Sequence, residues 1–215
     1  MMTSARSLLF VDDYDMLRKI YVDILSDAGY QVTGASGADQ CMQALLREVP
    51  DLILLDIMMK PVDGWETLLQ IRSYPPALGV PVIMISGKAI LPVEVTRFGP
   101  LTDGFFRKPL QNAVLIASIA EFFRWFEALQ GQCAEARAKG ADDAAVASYF
   151  SLKRQERAIN RMLSIIQKEY GGGSDQTEVN SIADSISEII TFIKEISQKI
   201  EIIESDLSGM LDITG

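Results

Sequence analysis

Apolar residues follow two rhythms along this chain. In the first part, short unbroken runs occur: LLFV at 8–11, LILL at 52–55 and VIMI at 82–85. Runs of this kind, without polar alternation, mark strands covered on both faces. Segments 30–33 (YQVT) and 105–106 with its neighbours complete five predicted strands. Between them apolar residues recur every three or four positions, as at Ile20, Ile24 and Leu25. That spacing predicts helices at 15–28, 38–47, 65–72, 92–98 and 112–129. Strands alternating with helices in this way predict an α/β fold, a doubly wound five-stranded parallel sheet.

After residue 129 only the helical rhythm remains. Gly131, Gly140 and the small polar residues around them predict a linker at 129–141, following a first domain at 5–128. An α-helical hairpin, coiled-coil or bundle-forming, is expected at 142–213, with helices at 142–170 and 175–211. Gly171-Gly172-Gly173-Ser174 would connect them, and Asp175 with Glu178 fits a capping box opening the second. Along that helix Val179, Ile182, Ile186, Ile189, Ile193, Ile196, Ile200, Ile203, Leu207 and Met210 follow at steps of three and four. From Ile182 to Met210 this heptad seam would run roughly 42 Å at 1.5 Å per residue. Ile190 and Phe192 widen it, as in a bundle. Leu152, Ile159, Met162 and Ile166 offer a facing stripe. Lys153, Arg154, Arg157, Arg161 and Lys168 make the first helix basic, and Asp184, Glu188, Glu195, Glu201, Glu204 and Asp206 make the second acidic.

Charge and composition narrow the function. A formal net charge of −9 opposes broad binding to nucleic acid or anionic lipid. The chain has no histidine, which excludes a histidine kinase, a Ser-His-Asp triad and a His-based zinc site. Cys41 and Cys133 lack metal-ligand spacing and read as reduced thiols of a cytoplasmic protein. No signal peptide is expected at the N-terminus. The most apolar long stretch, 113–129, is interrupted by Glu121 and Arg124, so no membrane span is expected.

The chemistry gathers at the ends of the predicted strands, where doubly wound sheets bind ligands. The first strand ends in Asp12-Asp13, the third in Asp56, the fourth in Ser86-Gly87 and the fifth in Lys108-Pro109. Alone, each reads as a turn or cap; together they place three acids, a hydroxyl and an amine at one sheet edge. Two like charges 4 Å apart cost about 4 kcal/mol at an effective dielectric near 20. A divalent cation removes that cost, and all-oxygen ligands point to Mg2+. Such a site suits a phosphoryl group, with Asp56 as oxygen nucleophile, Ser86 as hydroxyl and Lys108 as counter-charge.

FVDDYDMLR, LILLDIMMKPVDGWE, VIMISGKA and GFFRKPL stand in the order and spacing of a known family. Residues 7 to about 127 resemble the receiver domain of two-component response regulators, a flavodoxin-like fold. The resemblance implies an aspartyl-phosphate switch. Asp56 matches the phosphoacceptor, and Asp12 and Asp13 the acidic pair that holds Mg2+. The backbone carbonyl of Met58 is a further implied ligand. Ser86 matches the switch hydroxyl, Lys108 the lysine of the phosphate site and Phe105 the aromatic that changes rotamer. The sequence departs from the family at several points. Lys60 stands where Pro is usual, with Pro61 after it, and Gly87 follows the switch hydroxyl where Ala is common. Phe105 has no hydroxyl, and Met58 and Lys88 occupy positions that tune loss of the phosphoryl group.

The function expected is therefore that of a two-component response regulator in the cytoplasm. It would be phosphorylated by a sensor histidine kinase in trans and would signal through protein–protein interaction. It would not be a turnover enzyme, only a phosphoacceptor with slow autodephosphorylation. The seam predicts a homodimer through the C-terminal helices and a separate downstream protein target. The alternative is a transcriptional regulator with an atypical helical DNA-binding output. A phosphohydrolase using Asp56 would need an acid–base partner, and Met58 offers none.

Overall fold

The computed structural model describes residues 5–170 and 176–211. The glycine-rich connection at 171–174 and the capping box expected at Asp175 lie outside the described residues. Five strands form one parallel sheet: β1 (Ser7–Val11), β2 (Gln31–Ala35), β3 (Leu52–Asp56), β4 (Val82–Ser86) and β5 (Gly104–Arg107). Their order is β2-β1-β3-β4-β5. The unbroken apolar runs have the expected cause. Every residue of β3 and β4 is buried, while β2 at the sheet edge exposes Gln31, Thr33 and Gly34. Helices α1 (Asp15–Asp27), α2 (Ala38–Arg47) and α3 (Gly64–Ser73) connect the first strands. Asp63 caps α3 by accepting from the Glu66 N–H at 2.8 Å.

Helices α4 (Pro92–Phe98), α5 (Asn112–Ala138), α6 (Asp143–Tyr170) and α7 (Gln176–Asp206) follow. The expected linker at 129–141 is largely helical instead. α5 continues through it to Ala138, and the chain turns only at 139–142, around Gly140 with φ 92°. Leu129, Cys133 and Ala136 are buried. Their spacing continues the apolar stripe of α5, and this outweighs the ~1 kcal/mol that Gly131 costs inside a helix. None of the described helices is long and apolar enough to cross a membrane.

By packing, the chain divides into two compact units. One comprises Met1–Ile90 and Leu101–Asn112 and contains the whole sheet; the other comprises Leu91–Pro100 and Ala113–Gly215. In the first, Arg72 from α3 donates to the carbonyls of Leu101 (2.9 Å) and Val80 (2.8 Å) and faces buried Asp103, which accepts from the Val82 N–H at 2.8 Å. This staple fixes where β4 begins. In the second unit, α4 groups with the later helices. A Cβ on Gly99, just after α4, would lie 2.8 Å from Ile159 Cγ1 of α6, so only glycine permits that approach.

α5 and α6 meet through rings and guanidinium groups. Phe122 stacks on Phe126 at 5.5 Å, and Phe126 meets Phe150 at 5.6 Å. Arg157 lies over Trp125 at 4.6 Å and pairs with Glu121 at 3.1 Å; Arg154 lies over Phe126 at 5.5 Å. Two of the basic residues expected to face the acidic helix are thus held on the aromatics of α5. α7 buries Ile189, Ile196 and Ile200, members of the predicted seam, with Leu207 buried just after its end, and α6 buries Ile159, Met162 and Ile166. Polar bonds fix the register between these helices: Ser197 Oγ donates to Glu156 at 2.6 Å, and buried Tyr149 hydrogen-bonds Glu204.

Two predictions follow from this packing. A Cβ on Gly64 would collide with the Asp56 carbonyl and lie 2.7 Å from Ile57 Cα. Gly64→Ala is therefore expected to cost on the order of 2–3 kcal/mol in urea unfolding. Burial pushes the Tyr149 hydroxyl up to about 12, helped by the charge of Glu204. A pKa raised in the folded state gives stability that is full below pH 10 and is lost as pH rises through 10 to 12. The urea midpoint of the native chain should fall across that window more steeply than that of Tyr149→Phe.

Candidate phosphoryl-acceptor site

The sheet brings the three acids together by register. Val11 pairs with Leu55, so Asp12 and Asp56 leave neighbouring strands side by side. Asp12 and Asp56 are buried at 1% and 4% exposure, while Asp13 is more accessible. One carboxylate oxygen from each lies within 4.8 Å of the others. Bare, three such groups repel, so the site needs positive charge.

Lys108 supplies it. Its Nζ donates to Asp56 Oδ1 at 2.6 Å and to Asp12 Oδ2 at 2.8 Å. The lysine is aimed by β5, whose continuation is tied to β4 by the Lys108 N–H bond to the Ser86 carbonyl at 2.8 Å. Burial alone would lower the Lys108 pKa, but its bonds to Asp12 and Asp56 outweigh this and raise it. The pKa of Asp56 is raised, chiefly by desolvation, against the lowering pull of Lys108. Asp12 also accepts from the Tyr14 N–H at 2.9 Å, and Asp13 from the Lys60 N–H at 3.0 Å. Asp13 thereby holds the loop after β3, where Lys60 replaces the usual proline.

The remaining expected residues are placed as follows. The Met58 side chain is 57% exposed, and its backbone N–H bonds Asp56. Ser86 is buried at the end of β4, and its hydroxyl is turned to the Lys88 backbone, accepting from the N–H at 2.9 Å and donating to the carbonyl at 3.1 Å. Phe105 is buried in β5 opposite Met84.

Three supporting residues escaped the sequence reading. Arg18 of α1 donates to the Asp12 carbonyl at 2.7 Å and pairs with Asp15. Arg107 donates to the Gly87 carbonyl, bracing the loop after β4. Tyr21 packs on Phe10 at 5.2 Å between ring centroids and hydrogen-bonds the Leu110 backbone, two residues beyond Lys108. Arg18 and Arg107 lie inside the segments FVDDYDMLR and GFFRKPL, and Tyr21 in no motif; the i, i+3 spacing of Asp15 and Arg18 is the one further readable signal.

An oxygen-only cluster with two buried carboxylates sharing one lysine fits a hard divalent cation and a phosphoryl group. Comparison with known proteins identifies the family. Residues 8–120 match the family model described as the response regulator receiver domain. The transcriptional regulatory protein GltR of Pseudomonas aeruginosa is 32% identical over 124 residues, 58% of this chain and 51% of that protein. The chain thus spans about half the length of such curated relatives. A CheY-like response regulator receiver domain protein from Methanospirillum hungatei is 28% identical with a TM-score of 0.50, covering 55% of this chain and 93% of that one. The chemotaxis response regulator CheY4 of Vibrio cholerae, 22% identical with a TM-score of 0.51, covers 55% of this chain and 98% of that one and shares the fold.

The ion-pair geometry makes a prediction. Lys108→Met leaves Asp12 and Asp56 buried without their counter-charge and should lower unfolding stability by on the order of 3 kcal/mol at neutral pH. Millimolar Mg2+ should restore part of this loss, and lowering the pH, which neutralises the acids, should restore part as well.

Proposed function

The chain belongs to the response regulator receiver family, and on that premise we propose that it is a two-component response regulator that accepts a phosphoryl group on Asp56. The observation that carries this reading is the buried Asp56 carboxylate, 2.6 Å from Lys108 Nζ, beside Asp12 and Asp13. In the transfer, an Asp56 oxygen attacks phosphorus and forms the new O–P bond. The P–N bond to the imidazole of a sensor kinase acting in trans breaks, and the imidazole keeps the electron pair and takes up a proton. Asp12, Asp13, Asp56 and the Met58 carbonyl would hold Mg2+, which when bound supplies charge neutralisation for the phosphoryl oxygens. Lys108 then exchanges its bond to the Asp56 carboxylate for one to a phosphoryl oxygen. The buried setting of Asp56 keeps bulk water from competing.

Ser86 and Phe105 are the proposed switch. To meet a phosphoryl oxygen, the Ser86 hydroxyl must leave its two bonds to Lys88. Freed, the loop from Gly87 can move, and that loop leads within five residues into α4, which packs with the C-terminal helices. Output is proposed to pass by protein–protein interaction of the receiver surface and these helices, including self-association, in the cytoplasm. The names of relatives such as GltR support a second reading, output at DNA. Against it, Arg154 and Arg157 lie over aromatic rings, and α7 carries an excess of acids.

With acetyl phosphate and Mg2+, intact-mass measurement should detect one phosphoryl group on the native chain. Asp56→Asn should carry none, and chelation of Mg2+ should abolish the label. Full labelling of Asp56→Asn would refute the assignment.

A further inference from the structure

α7 has two stripes: a seam buried within its own unit, and a second stripe that meets α4 at its Phe192 end and is otherwise exposed among the described residues. Ile189, Ile196 and Ile200 form the buried seam, continued by Leu207 just after the helix. At about 100° per residue, Glu188, Thr191, Phe192, Glu195, Lys199 and Ile202 fall within roughly a 100° arc centred about 110° round from that seam. All are exposed except Phe192, which is half-buried, and Ile202 is 62% exposed. On this second stripe lies a groove of about 570 Å³ lined by Thr96 of α4 and by Ser187, Glu188, Thr191, Phe192 and Glu195 of α7. Val93, one turn before Thr96 on α4, is 64% exposed.

The stripe thus carries both a recess, at Phe192, and a projecting apolar side chain, Ile202, ten residues further on and so about 15 Å along the axis. We propose that this stripe is an isologous dimer interface, occupied by α7 of a second copy running antiparallel. In that pairing Ile202 of each copy enters the Phe192 groove of the other. The same register sets Glu195 of each copy opposite Lys199 of the other, so one knob-and-groove contact and one ion pair each occur twice and the assembly closes. A parallel pairing would set Ile202 against Ile202 and leave both grooves empty. The register also sets Glu188 opposite Asp206 at the two ends, in open water, where like charges cost little.

This rests on the self-association proposed above and changes its face. The seam at Ile193 and Ile196 was the expected interface, but Ile196 is buried and Ile193 half-buried in the chain's own helical packing. Sedimentation equilibrium of the full chain, with and without Mg2+ and beryllofluoride, tests it. The native chain should dimerise at micromolar concentration. Ile202→Glu should raise the dimer dissociation constant at least roughly 100-fold, since two isoleucines leave the interface, with helix content unchanged and, at dilutions where both chains are monomeric, the same melting temperature. Glu195→Lys and Lys199→Glu should each weaken the dimer, and the double variant should restore it. A native dimer indifferent to Ile202→Glu, or a double variant no tighter than the singles, overturns this interface and leaves self-association standing. A native chain monomeric at high micromolar concentration in both conditions overturns self-association as well. The phosphoacceptor reading is judged separately by the mass of the phosphorylated chain.

Discussion

The site depends on one ammonium group. Lys108 Nζ sits between the carboxylates of Asp12 and Asp56, at 2.8 and 2.6 Å, where the sheet has left two acids buried on adjacent strands. A hydrophobic sheet edge does not tolerate such a pair unaided. The lysine makes the apo state possible and also sets its chemistry. It holds the Asp56 carboxylate in a water-poor site, and in the proposed function its bond there would pass to an incoming anion. Around it, Arg18 fixes the Asp12 backbone, Asp13 holds the loop after β3 through the Lys60 N–H, and Tyr21 anchors the chain beyond Lys108.

The proposed switch residues are held by hydrogen bonds in the structure. Ser86 has both its donor and an acceptor satisfied by Lys88, and Arg107 braces the adjacent Gly87 carbonyl. In the proposed function, a phosphoryl group on Asp56 would offer the hydroxyl a charged acceptor, a stronger partner than a neutral carbonyl. A population shift of that origin would be limited by the difference in affinity and so be graded. What is specific to this chain is where the loop leads. α4 is grouped with α6 and α7 in one compact unit, with Gly99 against Ile159. The matched family model ends at residue 120 and does not include α6 and α7.

The sequence by itself determined the sheet, the acidic site and the existence of the long helices. Unbroken apolar runs can be buried only as central strands, and Asp12, Asp56 and Lys108 had to emerge at strand ends because the runs stopped there. The ends of the strands and helices agree with that reading to within two residues, except that α5 runs on to Ala138 and α7 stops at Asp206 rather than at 211. Tertiary structure decided the rest. Gly131 and Gly140 look alike in sequence, yet the first lies inside a helix held by Leu129, Cys133 and Ala136 while the second makes the turn. Basic residues on α6 looked matched to acids on α7, but Arg154 and Arg157 found the rings of α5, because desolvated cation–π contacts compete well with exposed ion pairs. Tyr21 and Arg107 joined the site through contacts that no local spacing encodes, and Arg18 through its bond to the Asp12 carbonyl. A periodic pattern says which face of a helix must be covered; only the packed chain settles what covers it.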